Sequence, residues 1–139
     1  MIPMINGASY SMADVILNIM GQTIAGVIAI KYDTEQEKKD NYGAGQNAVA
    51  RTYGQKKHSG SITLDVLEVE SLQAAAPQGD ITRFPPFEIP VVYMNTAGII
   101  VSHKLKFVEF TKNMRDMKTG DMQISVELPL IIGDIDWKA

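Results

Sequence analysis

The chain has no cysteine, and this absence excludes several kinds of site at once. Without thiols there is no disulfide framework, no thiolate nucleophile and no cysteine-based zinc site. The two histidines, His58 and His103, are too few for an all-histidine zinc triad. There is no basic excess either: the net charge is -3, which argues against a protein that grips the phosphates of a nucleic acid.

Long apolar runs are also missing. No segment approaches the roughly 20 consecutive apolar residues that cross a bilayer, and the first residues lack the pattern of a secretory signal. We therefore expect no membrane insertion, and synthesis in a cytoplasm. What remains is ordinary globular composition, 139 residues with 45% hydrophobic and 21% charged, and it predicts a single domain over residues 1–139.

Apolar residues recur mainly with period two, which is typical of half-buried strands. The clearest case runs from Met122 to Leu130, and Pro129, which has no amide donor, predicts a lapse in strand pairing near it. Further strands are predicted at 9–20, 24–32 and 62–66. The first two should form a hairpin with Gly21 in the turn.

A second hairpin is predicted from Phe87 to Phe107, with its turn at 95–98. Beyond Phe107 the apolar parity shifts to Val108, which one extra residue in the strand, a β-bulge, would explain. One segment has helical character: it is rich in alanine, places Val69 and Leu72 on one face, and stops at Pro77.

These elements predict a mainly β fold, a small β-barrel or sandwich of six or seven largely antiparallel strands with one short helix covering an open end or face. A long extended arm is predicted at about 33–60. This stretch has mixed charge and no sustained apolar period, and it is too long for an ordinary connection. It also contains Tyr42, Val49 and Tyr53, which could dock on a partner.

Several short patterns resemble catalytic or metal sites but fall short of them. The glycines at 43–45 lack the rest of a dinucleotide fingerprint, and Ser59-Gly60-Ser61 is better explained as a turn entering a strand than as a nucleophile elbow. Glu68 and Glu70 suit the start of a helix, and the carboxylates Asp134 and Asp136 are too few for calcium. His103 follows the buried parity, as a core or interface histidine does. We therefore predict no catalytic, cofactor-binding or metal-binding residues, and no enzyme.

The layout resembles that of the tail tube proteins of long-tailed bacteriophages and of phage-tail-like contractile particles. The residues that carry the resemblance are a strand pair about Gly21, the motif Tyr42-Gly43-Ala44-Gly45 in a long arm, the segment from Ser59 to Leu64, and a short helix from Glu68 to Ala75. It covers roughly residues 9–132. Where some relatives carry a proline after the glycine pair, this chain has Asn47-Ala48-Val49.

The resemblance implies a barrel similar to the type VI secretion tube protein, which assembles into sixfold rings that stack into a tube. The tube would conduct DNA or an effector without holding it. Such a subunit would be made in the host cytoplasm and reside in the virion tail, with sheath, baseplate or tape-measure proteins as partners.

Sequence reasoning also favours self-assembly, because ring closure removes free sheet edges and docking on a neighbour would order the arm. The predicted subunit-interface residues all lie in the arm: Tyr42, Gly43, Gly45, Arg51 and Tyr53. Three alternatives remain open. They are a small-ligand-binding β-barrel, an enzyme that uses Asp14, Glu109 or His103, and a tube initiator or terminator in place of a tube subunit.

Overall fold

The computed structural model describes residues 2–10, 12–19, 22–24, 26–113 and 125–139. These residues form nine strands and one α-helix. In chain order the elements are β1 (Met4–Ile5), β2 (Ala13–Val15), β3 (Leu17–Ile19), β4 (Gln22–Ile24), β5 (Val27–Tyr42), β6 (Ala48–Asp65), α1 (Val66–Ala75), β7 (Phe87–Met94), β8 (Ile100–Phe110) and β9 (Ser125–Asp136). Two short 3₁₀ turns, Pro77–Gly79 and Ile81–Arg83, connect α1 to β7.

Seven strands form one sheet in the order β1-β5-β6-β9-β8-β7-β2, and β3 pairs with β4 in a separate two-stranded sheet. Only the β1–β5 pair of the large sheet is parallel. The sheet curls into a nearly closed barrel. Its curvature brings Tyr32 on β5 against His103 on β8, although β6 and β9 lie between these strands in the sheet. The predicted mainly β fold with one helix is confirmed.

The core fills the inside of the barrel with aliphatic side chains that alternate along the strands, such as Ile62, Leu64, Leu105 and Leu128. The helix α1 follows β6 at the end of the barrel opposite the arm, and its Val69 and Leu72 are fully buried. Asp65 caps the helix, because its Oδ1 accepts a hydrogen bond from the Leu67 backbone amide. The predicted helix is thus confirmed, and it begins three residues before Val69.

The predicted second hairpin is confirmed as β7 and β8, and its turn is held by Asn95, whose Oδ1 accepts from the Ala97 and Ile99 amides. The bulge predicted near Phe107 is also confirmed. The register shifts between Phe87 and Ile89, and Phe107 has φ of 55°.

The pairing lapse predicted near Pro129 is found on one side of β9 only, since the ladder with β6 continues through Pro129 opposite Ser61. β9 runs on to Asp136 as an internal strand between β6 and β8, but its ladder with β8 begins only at Leu130, opposite Phe110. The Pro129 carbonyl, which accepts from the Thr111 amide at 3.3 Å, faces the end of β8. Because a residue in an antiparallel strand directs its N–H and C=O to the same side, the missing proline donor also faces that side.

Two strand predictions need correction. The single strand predicted at 9–20 is two short strands, β2 paired with β7 and β3 paired with β4, so the first hairpin is only β3 and β4 and does not include β5. Ser59-Gly60-Ser61 lies inside β6, paired on both sides, and is not a turn. The extended arm predicted at about 33–60 is present, and it consists largely of strand. The predicted turn residue Gly21 and the first predicted residues of the last strand, 122–124, lie outside the described residues.

Candidate functional site

The candidate site is the outer part of the β5–β6 hairpin. β9 pairs with β6 only from His58 to Asp65, and β1 pairs with β5 only at Ala29 and Ile30. Among the described strands, none lies beside the hairpin between Glu35 and Lys57, so it leaves the barrel as a two-stranded ribbon. We call residues 33–60 the arm. Its strands are joined by a tip at 43–47.

The two faces of the arm continue the two faces of the barrel wall. Tyr32 is buried inside the barrel, and β5 runs through the arm without an extra residue, so every second residue after Tyr32 stays on the inner face. Asp40 on that face pairs with Arg51, and Lys38 pairs with Tyr53. The inner face of the arm therefore collects three of the five predicted interface residues, namely Tyr42, Arg51 and Tyr53.

Both irregularities in the arm fall on β6. The register shifts between Gln36 and Lys38 and again between Asn41 and Tyr42, and in each case β6 contributes the extra residue. A bulge increases local twist and bends the strand that carries it. Bulges in this position also disrupt a flat edge, which protects a long exposed ribbon from unspecific strand pairing.

Polar contacts between the two strands stabilise the arm from within. Arg51 Nε donates to Asp40 Oδ1 at 2.6 Å, Asn41 Nδ2 donates to Thr52 Oγ1 at 2.7 Å, and Lys38 Nζ lies 5.7 Å from the centre of the Tyr53 ring. Exposed ion pairs of this kind contribute about 0–1 kcal/mol each. The arm is thus ordered locally without a core of its own.

Three apolar side chains of the arm are exposed to an unusual degree: Tyr42 at 64%, Val49 at 73% and Tyr53 at 61%. Such residues in a ribbon with no core are typical of a surface that binds a partner. Val49 is not among the five predicted interface residues. The signal that could have identified it is an apolar side chain in a stretch of polar residues.

The two predicted glycines sit in the tip and differ from each other. Gly43 lies against Val49, whose Cγ1 would be 3.4 Å from an added Cβ, whereas nothing lies within 4 Å of one at Gly45. Neither glycine has a positive φ. The tip therefore does not require glycine for its backbone conformation, and the assignment of these two residues to an interface stays a prediction.

The base of the arm is fixed by the last strand of the barrel and the residues after it. Trp137 Nε1 donates to Thr34 Oγ1 at 3.2 Å, and the same hydroxyl lies 2.9 Å from His58 Nδ1. The Trp137 ring also packs on Tyr32 and His103. Sequence reasoning treated this terminal segment as solvated and missed Trp137, because a lone aromatic carries no periodic signal.

His103 lies inside the barrel, as predicted, and is 8% exposed. Its Nδ1 lies 2.6 Å from the Tyr32 hydroxyl. Burial lowers the pKa of His103 and raises that of Tyr32, because desolvation disfavours the charged form of each. Both groups are therefore neutral near pH 7, and the hydrogen bond joins two uncharged side chains.

The described residues give little support to other chemistry. They contain no group of three or more His, Cys, Asp or Glu side chains placed to hold a metal ion. No helix among them has the length and apolarity that spanning a membrane requires. The grooves on the surface are open and lined mainly by polar residues, while the barrel interior is occupied by buried side chains. A ligand-binding barrel would need interior space.

Comparison with known proteins identifies the fold. No protein-family model and no curated protein sequence matches the chain. Solved structures do match. A chain of the sheath–tube complex of an extracellular contractile injection system, PVC, in its extended state has a TM-score of 0.58 at 11% identity, over 87% of this chain and 85% of that one.

Two further structures come from related kinds of particle. A chain of the six-fold symmetrised baseplate of the anti-feeding prophage has a TM-score of 0.51 at 13% identity, over 92% of both chains. A chain of the virion of a native gene transfer agent has a TM-score of 0.51 at 16% identity, over 90% of this chain and 94% of that one. The resemblance to components of phage-tail-like particles is therefore confirmed at the level of the fold.

Proposed function

We infer that the chain is a structural subunit of a phage-tail-like tube, which binds copies of itself in hexameric rings that stack around a channel. The arm carries this inference, because it is an ordered ribbon that exposes Tyr42, Val49 and Tyr53 and does not bury them against its own barrel. The likeness in fold to chains of a sheath–tube complex and of a six-fold symmetrised baseplate supports it.

The edges of the large sheet fit the same proposal. β1 and β2, the strands at the two ends of the sheet, have 2 and 3 residues. Edges this short offer little backbone for strand pairing between copies, so we expect the arm, which exposes apolar side chains, to make the main contact. Rings close when each copy offers its arm to the next in the same direction.

The charge suits a channel that carries DNA or an effector only in transit. A net charge of -3 gives no strong attraction to phosphates, which would slow passage. In this proposal the tube sits in the tail of a particle and contacts sheath, baseplate or tape-measure proteins. It performs no catalysis and binds no cofactor.

Sedimentation velocity and negative-stain electron microscopy of the purified chain test the proposal. Wild-type protein is expected to form rings or tubes with a central channel. The double variant Tyr42→Ser, Tyr53→Ser should keep the circular dichroism and melting temperature of the wild type, since both side chains are exposed, and lose at least tenfold in association constant. Ala50→Ser, on the other face of the arm, should assemble normally.

Two outcomes count against the proposal in different ways. A wild-type chain that stays monomeric at high concentration contradicts it and leaves the ligand-binding barrel as the alternative. Single rings that never stack would assign the chain to a tube initiator or terminator in place of a tube subunit.

A further inference from the structure

Phe107 is held in an unfavourable conformation that directs an aromatic ring into solvent. Its φ of 55° lies in the left-handed region, which a bulky residue rarely adopts, and its side chain is 64% exposed. The ring lies over Gly133 on β9, where an added Cβ would be 2.7 Å from Phe107 Cβ. Neither the strain nor the exposure contributes to the stability of the isolated barrel.

Phe107 lies near a second exposed apolar side chain on the outer face of the barrel wall. Ile131 on β9 is 55% exposed, and with Gly133 it lines an open groove of about 450 Å³. Residues at the base of the arm, including Lys57 and Ser59, form the other wall of this groove. We call Phe107, Ile131 and Gly133 the outer patch.

The arm of the same chain does not cover the outer patch. The groove is walled by the base of the arm, whereas the tip lies about ten residues further along β5, roughly 30 Å at the rise of an extended strand. Between Glu35 and Lys57 the strands of the ribbon pair only with each other among the described strands, so the tip does not pair with the barrel wall. An occupant must therefore come from another molecule.

The outer half of the arm has the chemistry that fits this patch. Residues 38–53 contain Lys38, Lys39, Arg51 and a single acid, Asp40, so the segment is positive within a chain of net charge -3. Beside the outer patch, Glu109 lies directly opposite Ile131 and Glu127 lies on the same face of β9, whereas Lys56 and Lys57 lie in the groove wall at the base of the arm. Within the described ranges, neither glutamate forms an ion pair.

We propose that the outer patch is the docking site for the arm tip of a second copy of this chain, with Val49, Tyr42 and Tyr53 covering Phe107 and Ile131 and the arm cations facing Glu109 and Glu127. This rests on the proposed self-assembly and names the surface that receives the arm. In this arrangement the strained bulge at Phe107 contributes to the interface and not to the stability of the barrel. The alternation of β8 would direct the ring to the other face of the strand, and the bulge turns it toward the neighbouring copy.

Cysteine crosslinking tests the contact directly, because the natural chain has no cysteine to give a background. Full-length Val49→Cys is mixed with full-length Ile131→Cys under mild oxidation. The expected result is a disulfide-linked dimer at several times the yield of a control mixture of Val49→Cys with Ser71→Cys, which lies on the exposed face of α1. A link to Ser71 with none to Ile131 overturns the proposal.

A second variant separates the interface from the fold. Phe107→Asn puts a residue that tolerates positive φ at the bulge, so the melting temperature of the unassembled chain should be unchanged or higher. Its association constant should fall at least tenfold. If wild type assembles and both Phe107→Asn and Ile131→Ser assemble equally well, this docking site is wrong while the tube proposal stands. If wild type does not associate, the tube proposal itself fails.

Discussion

Gly60 occupies a position in the barrel wall that has no room for a side chain. It lies inside β6 between β5 and β9, and a Cβ there would be 2.6 Å from the Lys31 carbonyl oxygen and 3.0 Å from Ile132 Cδ1. One of these atoms is backbone, so the strand itself would have to move. The clash would fall in the barrel wall at the base of the arm, since Gly60 is paired with Tyr32 on β5 and with Leu130 on β9.

Gly60→Ala should therefore lower the free energy of unfolding by about 1–3 kcal/mol, the usual cost of overpacking. The measurement is urea denaturation followed by circular dichroism. Gly45→Ala is the matched control, because nothing lies within 4 Å of an added Cβ there and its φ is not positive. Equal stability of the two variants would show that β6 adjusts without strain.

For single residues, the sequence predicts those that interrupt a repeating apolar pattern and misses those that lie outside any such pattern. The bulge at Phe107 was predictable because the apolar parity shifts at Val108. The role of Trp137 was not, since its contacts with Thr34 and Tyr32 join residues about a hundred positions apart. The sequence around Gly60 predicts a turn, because close packing between strands leaves no local signature.

Among the elements, the helix α1 depends on a single cap. Asp65 ends β6 and accepts from the Leu67 amide at 3.2 Å, so one side chain serves the junction of strand and helix. Asp65→Ala should reduce the free energy of unfolding by about 0.5–2 kcal/mol. Asp65→Ser, which keeps a capping oxygen, should restore most of it in thermal or urea denaturation. If Asp65→Ser is as unstable as Asp65→Ala, the cap is not the source of the loss.

The elements with alternating apolar residues were predictable, and the arm strands were not. β7, β8 and α1 each bury one face, so their sequences carry the period of their structure. In the arm both faces meet solvent, and nothing imposes alternation on residues such as Glu37 or Gln55. Its strand structure comes from cross-strand hydrogen bonds that composition does not reveal. Short edge strands such as β1 carry too few residues for any period.

For the whole molecule, the buried His103 links stability to pH. Burial holds its pKa below the ordinary value of 6.5, so between that value and the lower folded value the unfolded chain binds a proton that the folded chain does not. The free energy of unfolding should therefore fall as the pH drops below about 6.5. It should be restored as the pH rises again.

The check is urea denaturation at several values between about pH 7 and 5, with His103→Gln as the comparison. The variant should lose part of the slope in this range, and His58 is present in both proteins, so its contribution cancels. A slope that is identical in the two proteins would mean that His103 takes up its proton as readily in the folded state as in the unfolded one.

The architecture as a whole was predictable to the level of a mainly β barrel with one helix, because strand period and turn residues recur along the chain. The sheet order was not. The parallel β1–β5 pair and the division of the 9–20 segment between two sheets are set by contacts distant in sequence. Likewise, the sequence predicts that the arm binds a partner, whereas the surface proposed to receive it could be identified only from the folded structure of the barrel wall.

The continuity of the barrel wall into the arm restricts how the arm can change in length. Because β5 carries the inner face outward without interruption, one inserted residue would exchange the inner face of the ribbon, which carries Tyr42 and Tyr53, with its outer face, whereas two would preserve both. Variation in reach is thus expected in even steps on that strand. β6, which already accommodates two extra residues, is free of this parity rule and can absorb odd insertions.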